Sequence, residues 1–263
     1  MTQSLRYEII SGVARITLSS LKSGNALNSP LVAALTQSIK EAVTDESCRA
    51  IVIAAEGADF CKGLDLEAVF ASDEPPDPAI FKNFLDCLAL IYSCSKPVIA
   101  CVEGDVTGGG VGLVAACDIV LATENAIFML PEMLVGMIPA LIAPFLLRRM
   151  TLGRVKYMTL STRGISALEA KEFGLVDEVS TGGMPDTLNR QLQRLFRSSP
   201  RAIAESKQLF ANLDSGELPR QMELDLNQLL SWLEQPEILE GVRTFAEGFS
   251  PPWFQKYKGQ RNV

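Results

Sequence analysis

Three consecutive glycines, Gly108, Gly109 and Gly110, stand in the stretch VTGGGVGLV (106–114), and a fourth, Gly112, follows two residues later. The apolar run PVIACVE (97–103) precedes them, so they fall where a buried strand hands over to a helix. Without Cβ atoms the backbone N–H groups there are open, and the coming helix points its positive end at them. Such a corner suits a phosphate, or an oxygen that turns negative during a reaction. It is equally compatible with a tight strand-to-helix turn that binds nothing. A dinucleotide fingerprint is excluded, because Leu113, Val114 and Ala115 follow Gly112 where G-x-G-x-x-G needs its third glycine.

The rest of the chain places this corner in an α/β architecture. Residues 5–10 and 13–18 around Gly12 read as a β-hairpin, and AIVIAA (50–55) and DIVLAT (118–123) read as buried strands like 97–103. SPLVAALTQSIKEAVTD has helical spacing, with Ser29 expected as N-cap and Pro30 as first helical residue. EGADFCKG reads as a loop and 64–95 as mostly helical, broken by the flexible segment DEPPDP. AIFMLPEM begins a short strand and turn. Beyond Gly153 helices are expected at 153–161, 166–173, 184–197, 199–213, 219–233 and 236–247, with a short strand in GLVDEVS. Strands alternating with helices, then helices alone, predict an α/β core over 1–195 and a C-terminal helical region over 196–263.

Composition removes several function classes. The chain of 263 residues has a net charge of −7, which argues against a nucleic-acid partner. Its longest apolar stretch, 129–147, is broken by Pro131, Glu132, Pro139 and Pro144, so no membrane span is expected. MTQSLRYEII carries no targeting pattern, and the six cysteines form no CxxC pair; a cytoplasmic protein with reduced, buried thiols is expected, Cys61 and Cys101 among them. There is no histidine, which removes Ser-His-Asp and Cys-His chemistry and the commonest transition-metal ligand. Acid–base work falls to carboxylates, lysines, tyrosines or cysteines, and no metal ion or cofactor is expected.

A second segment after a buried strand, GADFCKGLDLEAVF (57–70), joins PVIACVEGDVTGGG and LPEMLVGMIP. With GNALNS near residue 24 and ISALEAKEFGLVDEV at 165–179, their order and spacing resemble the crotonase (enoyl-CoA hydratase/isomerase) superfamily over nearly the whole chain. The resemblance implies a core of stacked ββα turns, a C-terminal helical region that trimerises, and an acyl-thioester substrate. It implies that the N–H groups of Leu64 and Gly109 hold the thioester oxygen as it becomes an enolate, with Gly63 and Gly108 beside them. It also implies a glutamate pair, of which this sequence has one member: Glu132 is present, and Gly112 stands at the other position. Set among IFMLPEMLVGMIP, Glu132 has few places to be solvated, and burial would raise its pKa and suit it to proton transfer; otherwise it is a surface or helix-capping carboxylate. Asp65 is expected as a helix cap, and Lys62 either as a solvated lysine or as a partner for a substrate carboxylate. Ala26, Ala58 and Asp59 carry over from the family as positions along the pantetheine arm.

Within that family the segment LPEMLVGMIPALIAPFLLRRM and the GGGVG pattern resemble polyketide β-branching dehydratases. The resemblance implies dehydration of 3-hydroxy-3-methylglutaryl-ACP to 3-methylglutaconyl-ACP by Glu132 alone, with Gly112 leaving room near the substrate. An enoyl-CoA isomerase or hydratase using the same glutamate is one alternative, and a non-catalytic member that binds acyl thioesters is another. An acyl carrier protein would need basic contacts, for which Arg148, Arg149, Arg154, Lys156, Lys256, Lys258 and Arg261 are candidates, or simply solvated charges. A homotrimer or a dimer of trimers is expected.

Overall fold

The computed structural model describes residues 4–71, 76–213 and 218–254. LRYEII and VARITL form the antiparallel pair β1 (Leu5–Ile10) and β2 (Val13–Leu18). Ser11 and Gly12 both have positive φ, 51° and 77°, as a tight hairpin between twisted strands requires. Helix α1 (Ser29–Thr44) starts one residue earlier than Ser29 as N-cap would place it: Asn28 is the cap, its Oδ1 accepting from the Leu31 N–H at 3.0 Å, and Pro30 is the second helical residue.

From there the chain repeats one turn. Strand β3 (Ala50–Ala55) leads to β4 (Asp59–Cys61) and helices α2 (Leu66–Val69) and α3 (Pro78–Ser93). Strand β5 (Val98–Val102) leads to β6 (Asp105–Thr107) and α4 (Gly109–Ala116). Strand β7 (Ile119–Thr123) leads to β8 (Ile127–Met129), a 3₁₀ turn at Glu132–Val135, and α5 (Ala143–Arg149). The first strand of each turn joins a six-stranded sheet that ends on β10 (Glu178–Ser180), in the order β1-β2-β3-β5-β7-β10. The second strand of each joins another sheet, β4-β6-β8-β9, where β9 is Ile165–Ser166. The ββα turns are therefore stacked, with both sheets parallel except at the β1–β2 and β8–β9 pairs. Of the second sheet only β8 was legible in the sequence, because β4 and β6 are three residues each and lie in what reads as loop.

The remaining helices are α6 (Leu152–Ser161), α7 (Ala167–Phe173), α8 (Met184–Arg197), α9 (Pro200–Leu213), α10 (Leu218–Leu233) and α11 (Pro236–Ala246). Their bounds lie within a residue or so of the spacing-based expectation. The central strands are covered on both faces. Met184 and Leu188 of α8 close over Val13, Val52, Ile99, Cys101 and Leu121, while the larger core fills the other side. Burial on both faces explains why β3, β5 and β7 read as continuous apolar runs rather than alternating ones. No helix among the described residues is long and apolar enough to cross a membrane.

Two of the arginines that were candidates for carrier contact are committed inside the fold. Arg149 donates to the carbonyls of Cys117, Asp118 and Leu175 and pairs with Asp177 at 3.2 Å, tying the end of α5 to the start of β7. Arg148 donates to Pro144 O at 2.7 Å and lies over the ring of Tyr92. Arg154 and Lys156 are exposed, though Arg154 also stacks on Phe173. Lys256, Lys258 and Arg261 lie outside the described residues, as does part of DEPPDP.

Candidate active site

Leu64 and Gly109 come together because two strand ends lie side by side. Leu27 pairs with Leu64 as a parallel bridge, its N–H donating to Gly63 O at 2.7 Å and its carbonyl accepting from the Asp65 N–H at 3.1 Å. In a parallel bridge those two bonds use the groups of residues 63 and 65, so the Leu64 N–H points to the other side. That side is the glycine corner: a Cβ on Gly63 would lie 2.7 Å from Thr107 O and 3.2 Å from Gly109 N. Gly109 opens α4, so its N–H has no acceptor within the helix. Leu27 and Phe84 back it, 3.1 and 3.4 Å from where its Cβ would be. Among the described residues neither amide has a hydrogen-bond partner. Two free donors thus face one cavity, which suits an oxygen that gains charge.

Glu132 reaches the same corner from β8. Its Oε1 lies 3.3 Å from where a Cβ on Gly108 would stand, and Gly108 makes that approach at φ +52°. Its Oε2 is sealed from solvent and has no hydrogen-bond partner among the described residues. Burial pushes the carboxyl up to about 7, with the Glu132 backbone N–H opposing part of the effect. A buried carboxyl poised near neutrality, with one oxygen unpartnered, is able both to take and to give a proton.

The cavity has a volume of about 330 Å³, and Lys62, Gly63, Leu64, Gly108, Gly109 and Glu132 all lie on its wall. The rest is largely apolar, with Phe81, Phe84, Leu141, Ile142, Leu229 and Phe245 among the lining side chains. Gly112 is not on the wall. A Cβ there would lie 2.1 Å from Cγ2 of Ile142, so Ile142 takes up the space that the missing glutamate was expected to leave for substrate. Ala26, Ala58 and Asp59 also lie off the wall: Ala26 is buried, Ala58 is exposed, and Asp59 pairs with Lys62 at 3.2 Å. Lys62 remains largely exposed and stands at the rim. Asp65 caps α2, its Oδ1 accepting from the Ala68 N–H at 3.1 Å.

Three contributors were missed. Ile142 and Phe84 reach the site across the fold, a relationship no local pattern displays. Asn25 had a signal in GNAL: buried at φ +56°, it donates from Nδ2 to the carbonyls of Glu56 and Asp59, both at 3.0 Å, and so ties the 24–27 segment to the loop that leads into β4. Cys61 and Cys101 are buried as expected, and burial pushes each thiol up to about 12.

Comparison with known proteins places the chain in a family. Residues 8–256 match the family model described as enoyl-CoA hydratase/isomerase. The chain is 29% identical over 262 residues to the bacillaene synthase dehydratase PksH of Bacillus subtilis, covering 95% of this chain and 96% of that protein. It is 32% identical over 265 residues to a carnitinyl-CoA dehydratase of Salmonella enteritidis, covering 96% and 99%. Among solved structures, that of PksH from Bacillus subtilis superposes with a TM-score of 0.87 at 27% identity, over 95% of this chain and all (100%) of the other. An enoyl-CoA hydratase from Mycobacterium avium gives 0.84 at 28%, over 97% and 100%. These relatives are named as hydro-lyases, enzymes that add or remove water, and the chain belongs with them to the enoyl-CoA hydratase/isomerase family.

Proposed function

We propose that the chain removes water from a 3-hydroxyacyl thioester, using Glu132 as its single acid/base and the Leu64 and Gly109 amides as donors to the thioester oxygen. One observation carries this reading: the buried Glu132 carboxylate, its Oε2 without a partner among the described residues, lies against the glycine corner, while Ile142 fills the place of any second carboxylate. Glu132 takes the C2 proton, and the electron pair moves onto the thioester oxygen between the two amides. The pair then returns to form the C2=C3 double bond as the C3–O bond breaks. The same carboxyl gives its proton to the departing hydroxyl, so water leaves and Glu132 is again a carboxylate.

The substrate in this reading is 3-hydroxy-3-methylglutaryl on an acyl carrier protein, and the product is 3-methylglutaconyl-ACP. The similarity to PksH supports it. A tertiary hydroxyl at C3 ionises readily, which lowers the demand for a second carboxylate. Lys62, on the cavity wall and largely exposed, is the cation that would meet the terminal carboxylate in this reading. Carrier contact falls to exposed residues such as Lys156, and the assembly is a trimer or a dimer of trimers. The apolar wall favours a second reading, in which an enoyl-CoA isomerase or hydratase acts on an uncharged acyl chain through the same glutamate.

Incubation with the 3-hydroxy-3-methylglutaryl thioester of a carrier protein, and separately of CoA, distinguishes these readings by intact mass. Loss of one water, faster on the carrier, is expected. No loss from either thioester, with turnover of a 3-enoyl-CoA, would establish the second.

A further inference from the structure

One indole shapes two glycines from separate elements. Gly136 follows the 3₁₀ turn that begins with Glu132, at φ +74°, and a Cβ there would lie 2.4 Å from Cη2 of Trp253. A Cβ on Gly241, in α11, would lie 1.9 Å from the same atom. The ring of Trp253 is thus wedged between the catalytic turn and the C-terminal helix, and neither neighbour has room for a side chain. A second indole holds the same peptide: Trp232 of α10 donates from Nε1 to Gly136 O at 2.7 Å.

The turn they grip is weak by itself. A 3₁₀ turn has poorer hydrogen bonds than an α-helix, and Leu134 within it is half exposed. Its two ends are nonetheless coupled, because Gly136 N–H donates to Met133 O at 3.3 Å and Met137 N–H to Glu132 O at 2.9 Å. A shift at Gly136 therefore moves the backbone that carries Glu132. The same helices place Leu229 and Phe245 on the cavity wall.

We propose that Trp253 and Trp232 are positioning residues for Glu132, so that the C-terminal segment of the chain sets the reach of its own acid/base. This rests on the reading of Glu132 as the proton-transfer group. The two amides hang on β4, β6 and α4, which the indoles do not touch in these contacts, so the amides' hold on the thioester oxygen should be spared.

The test uses the full chain and the thioester that the wild type turns over. Trp253→Ala, Trp253→Phe and Trp232→Phe are assayed alone, and Trp253→Ala also in a Glu132→Gln background, each beside a thermal melt. Displacement of a reacting group by about 1 Å costs on the order of 10²-fold, so Trp253→Ala and Trp232→Phe should lower kcat roughly 10- to 100-fold per folded molecule, with KM within about twofold. Trp253→Phe should recover much of the loss, and Trp253→Ala should cost nothing further once Glu132 is Gln. Unchanged kcat, or the same loss with and without Glu132, overturns the proposal. If Trp253→Ala does not fold, Trp232→Phe, which deletes one hydrogen bond from a partly exposed ring, carries the test. Should Glu132→Gln keep wild-type turnover, the reading of Glu132 fails and positioning falls with it. An inactive Glu132→Gln beside fully active tryptophan variants sinks positioning alone.

Discussion

Ile142 occupies the space that any side chain on Gly112 would need, its Cγ2 only 2.1 Å from where that Cβ would stand. The two residues are complementary, one bare and one filling, so packing leaves no room for a carboxylate at position 112. Gly112→Ala should therefore destabilise the protein by about 1–3 kcal/mol, the usual cost of overpacking a core. Ile142→Ala in the same chain should relieve most of that. Denaturant unfolding of the single and double variants measures the coupling, and strict additivity would show that the two positions do not compete for space.

At Gly63, too, a methyl group has nowhere to go, at φ +79° and with Thr107 O 2.7 Å from its Cβ site. Gly63→Ala should push the Leu64 amide away from the Gly109 amide. Loss of one such donor typically costs about 10²–10³ in rate, and kcat should fall by that order while the protein stays folded. A variant with wild-type kcat would remove the amide pair from the chemistry.

The buried carboxyl of Glu132 also predicts a pH dependence of stability. Burial raises it from the ordinary 4.5 to about 7. Between those values the folded chain holds a proton that the unfolded chain releases, so stability falls as pH rises through this window and levels off above it. The full effect is about 3 kcal/mol. Glu132→Gln removes it, so the variant should melt higher than wild type at pH 8 and closer to it at pH 4. Parallel melting curves across the whole range would mean that Glu132 is solvated. In the proposed mechanism the base form acts first, so kcat/KM of the wild type should rise with pH through about 7.

Lys62 tests the charge of the substrate. It is exposed and shared with Asp59, so its contribution to binding is modest, roughly 1 kcal/mol or less. Lys62→Ala should raise KM severalfold for a thioester ending in a carboxylate and leave an uncharged analogue unaffected. Equal effects on both substrates would favour the uncharged acyl chain.

What the sequence disclosed follows from what is local in it. The glycine corner, the Glu132 segment and the cap at Asp65 each announce themselves within a few residues, and the structure assembles the first two on one cavity. The strands β3, β5 and β7 were legible because burial on both faces makes them uniformly apolar. Strands β4 and β6 were not, since three residues cannot show a period. Ile142 against Gly112, and Trp253 between Gly136 and Gly241, were invisible for another reason: each contact joins elements far apart in the chain, and nothing local shows what packs against those glycines. The paired arginines looked available to a carrier protein until the fold placed Arg149 among backbone carbonyls.

The most direct measurement is single-turnover water loss from the 3-hydroxyacyl thioester by wild type, Glu132→Gln and Glu132→Asp, followed by mass. General acid–base catalysis of this kind is worth about 10²–10⁴ in rate. The Gln variant should lose at least that much while still binding the thioester, and the Asp variant should fall between it and wild type. Water loss by Glu132→Gln at the wild-type rate would contradict the single-glutamate mechanism outright.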